Sequence, residues 1–165
     1  MMKKTVSLIA CLFALSACGT VSTQSATSTS QKSAATTKII EMNSKEDFLT
    51  IQAQEKAFLV YFYKNMPPLN LKVHIVGSEN IGGAAFKPKM GEIAKEFKLP
   101  LIMIDIDKQK ETVDKLFGGA KISVPAVALF KGTDSVFAMG ILASTEEMTN
   151  TITEQLKQHS NIINQ

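Results

Sequence analysis

The sequence predicts an α/β layered domain, and two observations carry that prediction. Two continuous apolar runs of strand length, Ala57 to Tyr63 (AFLVYFY) and Leu101 to Ile106 (LIMIDI), read as central strands covered on both faces. Amphipathic stretches separate and follow them, so strands and helices alternate before a hairpin and a last helix.

Taken in order, Lys38 to Met42 is a short β-rich start. Ser44-Lys45-Glu46-Asp47 has the form of a capping box, its hydroxyl placed to accept a free N–H of the first helical turn. The helix it opens runs to about Glu55, with Phe48, Leu49 and Ile51 expected towards the core. After the AFLVYFY strand, Ala84 to Lys98 suits a second helix, with Phe86, Met90, Ile93, Ala94 and Phe97 on one stripe. Pro88 lies inside that pattern, so the helix either starts near it or bends there. LIMIDI is followed by a short helix over Lys110 to Phe117, stopped by Gly118-Gly119. Val124 to Phe130 and Ser135 to Met139 form a hairpin through Lys131-Gly132-Thr133-Asp134. Thr145 to Gln158 closes the domain, with Met148, Ile152 and Leu156 on one stripe.

Composition sets the outer bounds. The chain has 165 residues, 45% hydrophobic and 20% charged, which excludes wholesale disorder and a collagen-like repeat. Met1 to Ala17 has the parts of a secretory signal: Lys3 and Lys4, an apolar stretch from Val6 to Leu15, then small residues. That stretch is short of the ~20 apolar residues of a transmembrane helix. Eighteen basic residues less Lys3 and Lys4 leave sixteen against fifteen acidic ones, a nearly neutral mature surface that argues against nucleic acid as a partner.

Leu15-Ser16-Ala17-Cys18 resembles the lipobox of bacterial lipoproteins. The resemblance implies that Cys18 becomes the mature N-terminus and carries acyl chains such as palmitate, which anchor the protein in a membrane. Gly19, where an acidic residue would favour the inner membrane, implies the outer membrane's periplasmic face. Gly19 to Thr37 holds eleven Ser or Thr residues in nineteen and too little apolar surface to offset ordering, so it reads as a flexible tether. The expected organisation is a signal peptide over 1–17, a lipidated cysteine and tether over 18–37, and a folded domain over 38–165. Of the two cysteines, Cys11 leaves with the signal and Cys18 takes lipid, so no thiol or disulfide is left to the domain.

The order of elements, with AFLVYFY, FKPKMGEIAKEFK, LIMIDID, SVPAVALFKG and Gly140 in sequence, resembles the thioredoxin-like fold from about Lys38 to Gln158. The resemblance implies three α/β/α layers. A central mixed sheet of four to five strands would be flanked by about four helices, with an insertion before the second helix. It places a cis-proline at Pro125, and the redox cysteines at Asn80 and Gly83. The buried acid of that family falls at Tyr61 and its lysine partner at Met103. Nucleophile, resolver, acid and lysine are all missing, so the resemblance implies a member without catalytic thiols and leans away from an enzyme. It also implies a docking strip for an extended segment of another envelope protein at Val124, Pro125 and Ala126, with Asn80 and Gly83 beside it. Pro125 serves either that docking or only the entry geometry of its strand.

Lys64 to about Ser78 is the insertion. Leu69, Leu71, Val73 and Ile75 alternate with Asn70, Lys72, His74 and Val76, the period of an extended piece, between hinges at Met66-Pro67-Pro68 and at Gly77, Gly82 and Gly83. It is either a surface flap or a remodelled partner-binding edge. The alternative function is soft-metal (copper) handling through Met66 and His74, which are reasonable Cu(I) ligands although their spacing fits no ligand pattern. Met90, Met103, Met139 and Met148 read as core. There is no G-x-S-x-G, no phosphate-binding Gly loop with a following Lys, and no His beside a nucleophile. The expectation is therefore no catalytic residues, no metal, no cofactor and no small-molecule substrate. Asp105 and Asp107 read as a strand end running into solvent.

Overall fold

The computed structural model describes residues 37–66 and 77–164. The expected signal peptide, Cys18, the expected tether up to residue 36, and the alternating stretch with His74 lie outside the described residues.

β1 (Ile39–Glu41), β2 (Ala57–Tyr63), β3 (Leu101–Asp105), β4 (Ala126–Lys131) and β5 (Asp134–Gly140) form one mixed sheet in the order β1-β3-β2-β4-β5. β3 runs parallel to both β1 and β2, with Leu101 opposite Ile39 and Leu59. β4 runs antiparallel to β2 and β5. Leu129 pairs with Phe137 but Phe130 pairs with Ser135, so Val136 is an extra residue that bulges β5. Helices α1 (Lys45–Gln54), α2 (Lys87–Phe97), α3 (Lys110–Leu116), α4 (Thr145–Gln158) and the single turn α5 (Ser160–Ile163) complete the chain.

β2 organises the layers because all seven of its residues are buried. Successive side chains point to opposite faces. Leu59, Tyr61 and Tyr63 pack with Phe86, Met90 and Ile93 and with Met148, Ile152 and Leu156, the apolar stripes of α2 and α4. Phe58, Val60 and Phe62 pack with Phe48 and Ile51 of α1 and Val113 of α3. On this second face Phe48 meets Phe58, Phe117 and Phe130 edge-on at 5.5–6.0 Å, the favoured aromatic arrangement. The result is the three-layer α/β/α architecture expected.

The capping box expected at Ser44 forms, and α4 has a second that was missed in the sequence. Ser44 Oγ accepts from the Asp47 N–H while Asp47 accepts from the Ser44 N–H, and Ser144 and Glu147 repeat the exchange at α4. Two expectations are corrected, the inward Leu49 and the start of β4; the helix count agrees with the expected number, and a helix start near Pro88 is one of the two alternatives. Leu49 is 41% exposed, because Phe48 and Ile51 already occupy the inward stripe and the residue after Phe48 turns about 100° away. Ala84–Phe86 is a 3₁₀ turn, and α2 starts at Lys87 with Pro88 in its first turn, where a missing N–H costs nothing. Val124 and Pro125 precede β4 rather than belonging to it. A fifth helical turn, α5, follows α4.

α2 ends at Lys98, the one non-glycine residue with positive φ (55°) among those described. Its N–H closes the helix on Ala94 and Lys95, a job usually done by glycine because a Cβ is crowded there. Lys98→Gly should therefore raise the free energy of unfolding by about 1 kcal/mol, read from the midpoint of chemical denaturation.

Candidate functional site

β2 hands the chain to α2 on one face of the sheet, and β3 hands it to α3 on the other. The carboxyl ends of these two strands are therefore a topological switch point, where α/β sheets place their sites. The loop before β4 and residues 77–83 close over the same end.

Residues 77–83 are held there by backbone. Gly77, Gly82 and Gly83 have φ of 82°, 79° and 85°, the left-handed region that glycine enters freely. The Lys64 N–H donates to the Gly82 carbonyl at 2.6 Å, and the Gly83 N–H to the Asn80 carbonyl at 2.7 Å. The Tyr61 hydroxyl donates to the Gly83 carbonyl at 2.8 Å. A Cβ on Gly83 would lie 2.5 Å from the Tyr61 hydroxyl and 2.6 Å from Pro125 Cβ, and one on Gly82 would lie 2.7 Å from the Lys64 carbonyl. The chain is thus threaded between Tyr61 and Pro125 in a gap that fits backbone alone.

Each residue expected at the site can now be placed. Asn80 is corrected: it is 1% exposed, so its side chain presents nothing to a partner. Its amide donates to the Ala143 carbonyl at 3.0 Å and to Thr145 Oγ1 at 3.3 Å, tying the loop to the start of α4. Gly83 is buried as well and is a structural wedge rather than part of an accessible strip. Pro125 is buried, its bond with Val124 is cis, and Val124 and Ala126 on either side are half-buried. The Pro125 carbonyl accepts from the Ile141 N–H at 3.0 Å. Among the described residues, no backbone hydrogen bond reaches Lys121 to Val124.

Two large apolar side chains are exposed at this end of the molecule. Leu142, just past Ile141, is 62% exposed, and Met66, 45% exposed, lies against Gly82. These two are among the few large apolar side chains so exposed in the described part of the molecule. Met66 was read in the sequence only as a metal ligand or hinge, and Leu142 was not read at all. A leucine in a short loop between a strand and a capped helix carries no periodic signal. His74, the other soft ligand, lies outside the described residues. Among those described, no three His, Cys, Asp or Glu residues gather in a way that could hold a metal.

A polar network on the β1 side was also missed. Tyr63 donates to Glu41 at 2.8 Å and accepts from Lys87 at 3.2 Å, Lys87 pairs with Glu41, and its ammonium sits 4.5 Å from the Tyr63 ring centre. Lys87 and Glu41 neutralise one another, the neutral Tyr63 hydroxyl bridges them, and together they pin β1 to β2 and α2. Asp105 is 5% exposed, not a solvent-facing strand end, because Asn65 donates to it at 2.8 Å and the N–H groups of Asp107 and Lys108 at 3.2 and 3.4 Å. Asp107 does face solvent, where it pairs with Lys64 at 2.9 Å.

With this geometry in view, solved structures of similar fold can be compared. The chain has the thioredoxin fold. Thioredoxin f2 of Chlamydomonas reinhardtii matches 73% of this chain and 95% of its own length, with a TM-score of 0.51 and 13% identity. The oxidised thioredoxin of Plasmodium falciparum matches 72% of this chain and 97% of its own, with a TM-score of 0.50 and 21% identity. A thioredoxin of Malassezia sympodialis matches 75% and 90%, with a TM-score of 0.50 and 15% identity. No protein-family model and no curated protein matches the chain by sequence.

Burial pushes the Tyr61 phenol far above its ordinary pKa of 10.0, and burial, then the hydrogen bond to Glu41, pushes Tyr63 up as well. Both phenols are neutral in both states below pH 10, so their contribution is complete there. Above it the unfolded chain loses the proton first, and stability falls by up to about 1.4 kcal/mol per pH unit for each such group. Tyr61→Phe should flatten this alkaline slope between pH 10 and 12 while costing about 1 kcal/mol at pH 7, since the Gly83 carbonyl keeps its bond from the Phe86 N–H. Denaturation midpoints across that range check both halves.

Proposed function

We propose that this protein is an envelope lipoprotein, anchored through acyl chains on Cys18, whose thioredoxin-like domain has no redox activity and binds an extended segment of another envelope protein. The observation that carries the reading is the corner at Gly83. Residues 37–165 contain no cysteine, and the place where the family resemblance puts the second cysteine has no room for a side chain. Thiol exchange needs a thiolate nucleophile and a resolving thiol, and this corner offers neither.

The binding half of the reading rests on what stays open beside that corner. The backbone groups of Lys121 to Val124, which make no backbone hydrogen bond among the described residues, would accept an added strand whose main chain supplies affinity. Val124, Ala126, Ile141, Leu142 and Met66 offer apolar surface for its side chains, and Pro125 forms the floor between them. Exposed apolar patches of this kind mark interaction surfaces in proteins that otherwise bury such residues. The lipid and the Ser/Thr-rich tether would hold the domain near the periplasmic face of the outer membrane, within reach of its partner.

A photo-crosslinking residue placed at Val124 and at Leu142 in living cells, with Glu154 on α4 as control, tests the reading. One envelope protein captured from the first two positions and absent from the third is the expected result. Equal capture from all three positions, or none from any, would remove the docking strip from the account.

A further inference from the structure

The face of β4 and β5 that looks towards α1 and α3 is only partly covered. α1 reaches it at the hairpin turn, where Gln52 donates to the Gly132 carbonyl at 3.3 Å. α3 ends at Leu116, and the Phe117 ring wedges 5.4 Å from Phe62 and 5.5 Å from Phe48. Beyond that wedge a groove of about 400 Å³ remains, within the range of ligand pockets. Its floor is the paired backbones of Ala126, Ala128, Ala138 and Gly140, and Phe117 and Ile122 form its wall. The small floor residues leave depth for a thin chain lying flat on the sheet.

A second hollow of about 500 Å³ adjoins the groove and shares Ala120, Lys121 and Ile122 with it. Two of its lysines are already matched: Lys64 with Asp107 and Lys110 with Asp114, each at 2.9 Å. Lys121, at the junction, is exposed and has no ion pair or hydrogen bond among the described residues. One end of an apolar groove therefore meets one unmatched positive charge.

We propose that this groove binds a long-chain carboxylate of the fatty-acid class, its chain along the β4–β5 floor and its head group against Lys121. Chain burial supplies the affinity, growing with each methylene covered, and the ammonium sets the head group's sign. The groove shares Lys121, Ile122 and Ser123 with the docking strip, but it rests on the open β4–β5 face and does not depend on the partner-binding reading.

The test is calorimetric titration of the purified full chain with dodecanoate below its micelle concentration. Dodecyltrimethylammonium and butyrate serve as cationic-head and head-only controls. Saturable binding of one dodecanoate per chain is expected, at least tenfold tighter than either control. Lys121→Glu should weaken it about tenfold, and Ala138→Trp, which fills the groove from an exposed edge position, should abolish it without lowering the melting temperature. Failure of dodecanoate to saturate, equal binding of the cationic amphiphile, or dodecanoate binding untouched by Lys121→Glu would overturn the proposal. So would a wild-type dimer in sedimentation that Ala138→Trp converts to monomer, since a second copy would then occupy the groove.

Discussion

The close passage of Gly83 between the Tyr61 hydroxyl and Pro125 is the constraint on which the site end of this domain depends. With no Cβ, the backbone comes near enough for its carbonyl to take the phenol's hydrogen bond at 2.8 Å. Gly82 can then bond Lys64 at the exit of β2, and Asn80 can turn inward to the loop before α4. Three glycines in left-handed conformations make this threading possible, and a larger residue at any of them would meet backbone or a packed side chain. The same tyrosine is a core residue of β2, so the closed corner and the α2–α4 layer share one anchor.

That sharing shapes what the rest of the surface can do. The corner itself is filled by backbone packed between Tyr61 and Pro125. Beside it lie a strip of backbone before β4 without backbone hydrogen bonds among the described residues, and the exposed side chains of Leu142 and Met66. On the opposite face the aromatic cluster of Phe48, Phe58, Phe117 and Phe130 covers one end of β4 and leaves the Ala-rich end open. Both open surfaces adjoin the segment from Ala120 to Pro125, which lies outside the strands and, among the described residues, makes no backbone hydrogen bond from Lys121 to Val124.

Much of the fold was legible because its signals are local. AFLVYFY and LIMIDI are apolar without alternation, which only a strand buried on both faces tolerates. Ser44 with Asp47 marks a helix start, and the Met148–Ile152–Leu156 stripe placed α4 at its observed limits. The misreadings have long-range causes. Leu49 was assigned inward because apolar residues cluster near it, yet α1 has a single narrow contact stripe. Asn80 and Asp105 are polar residues next to loops, and their burial depends on partners 63 and 40 positions away. The tightness at Gly83 comes from two residues distant in sequence, and a glycine letter alone says only that positive φ is possible. The family resemblance puts a cysteine at Gly83, and the distances there leave no room for a side chain.

The central claim is that this corner accepts backbone and nothing larger, and chemical denaturation of an Asn80→Cys/Gly83→Cys variant tests it most directly, with and without reductant. Positive φ at a residue with a side chain costs about 1–2 kcal/mol, and forcing a side chain into a filled gap costs about 1–3 more. The account predicts a variant less stable than the parent by roughly 2–5 kcal/mol in both redox states, with no gain in reduction of insulin disulfides. A variant as stable as the parent that reduces insulin would contradict it, because the corner would then have room for the very thiols it is argued to exclude.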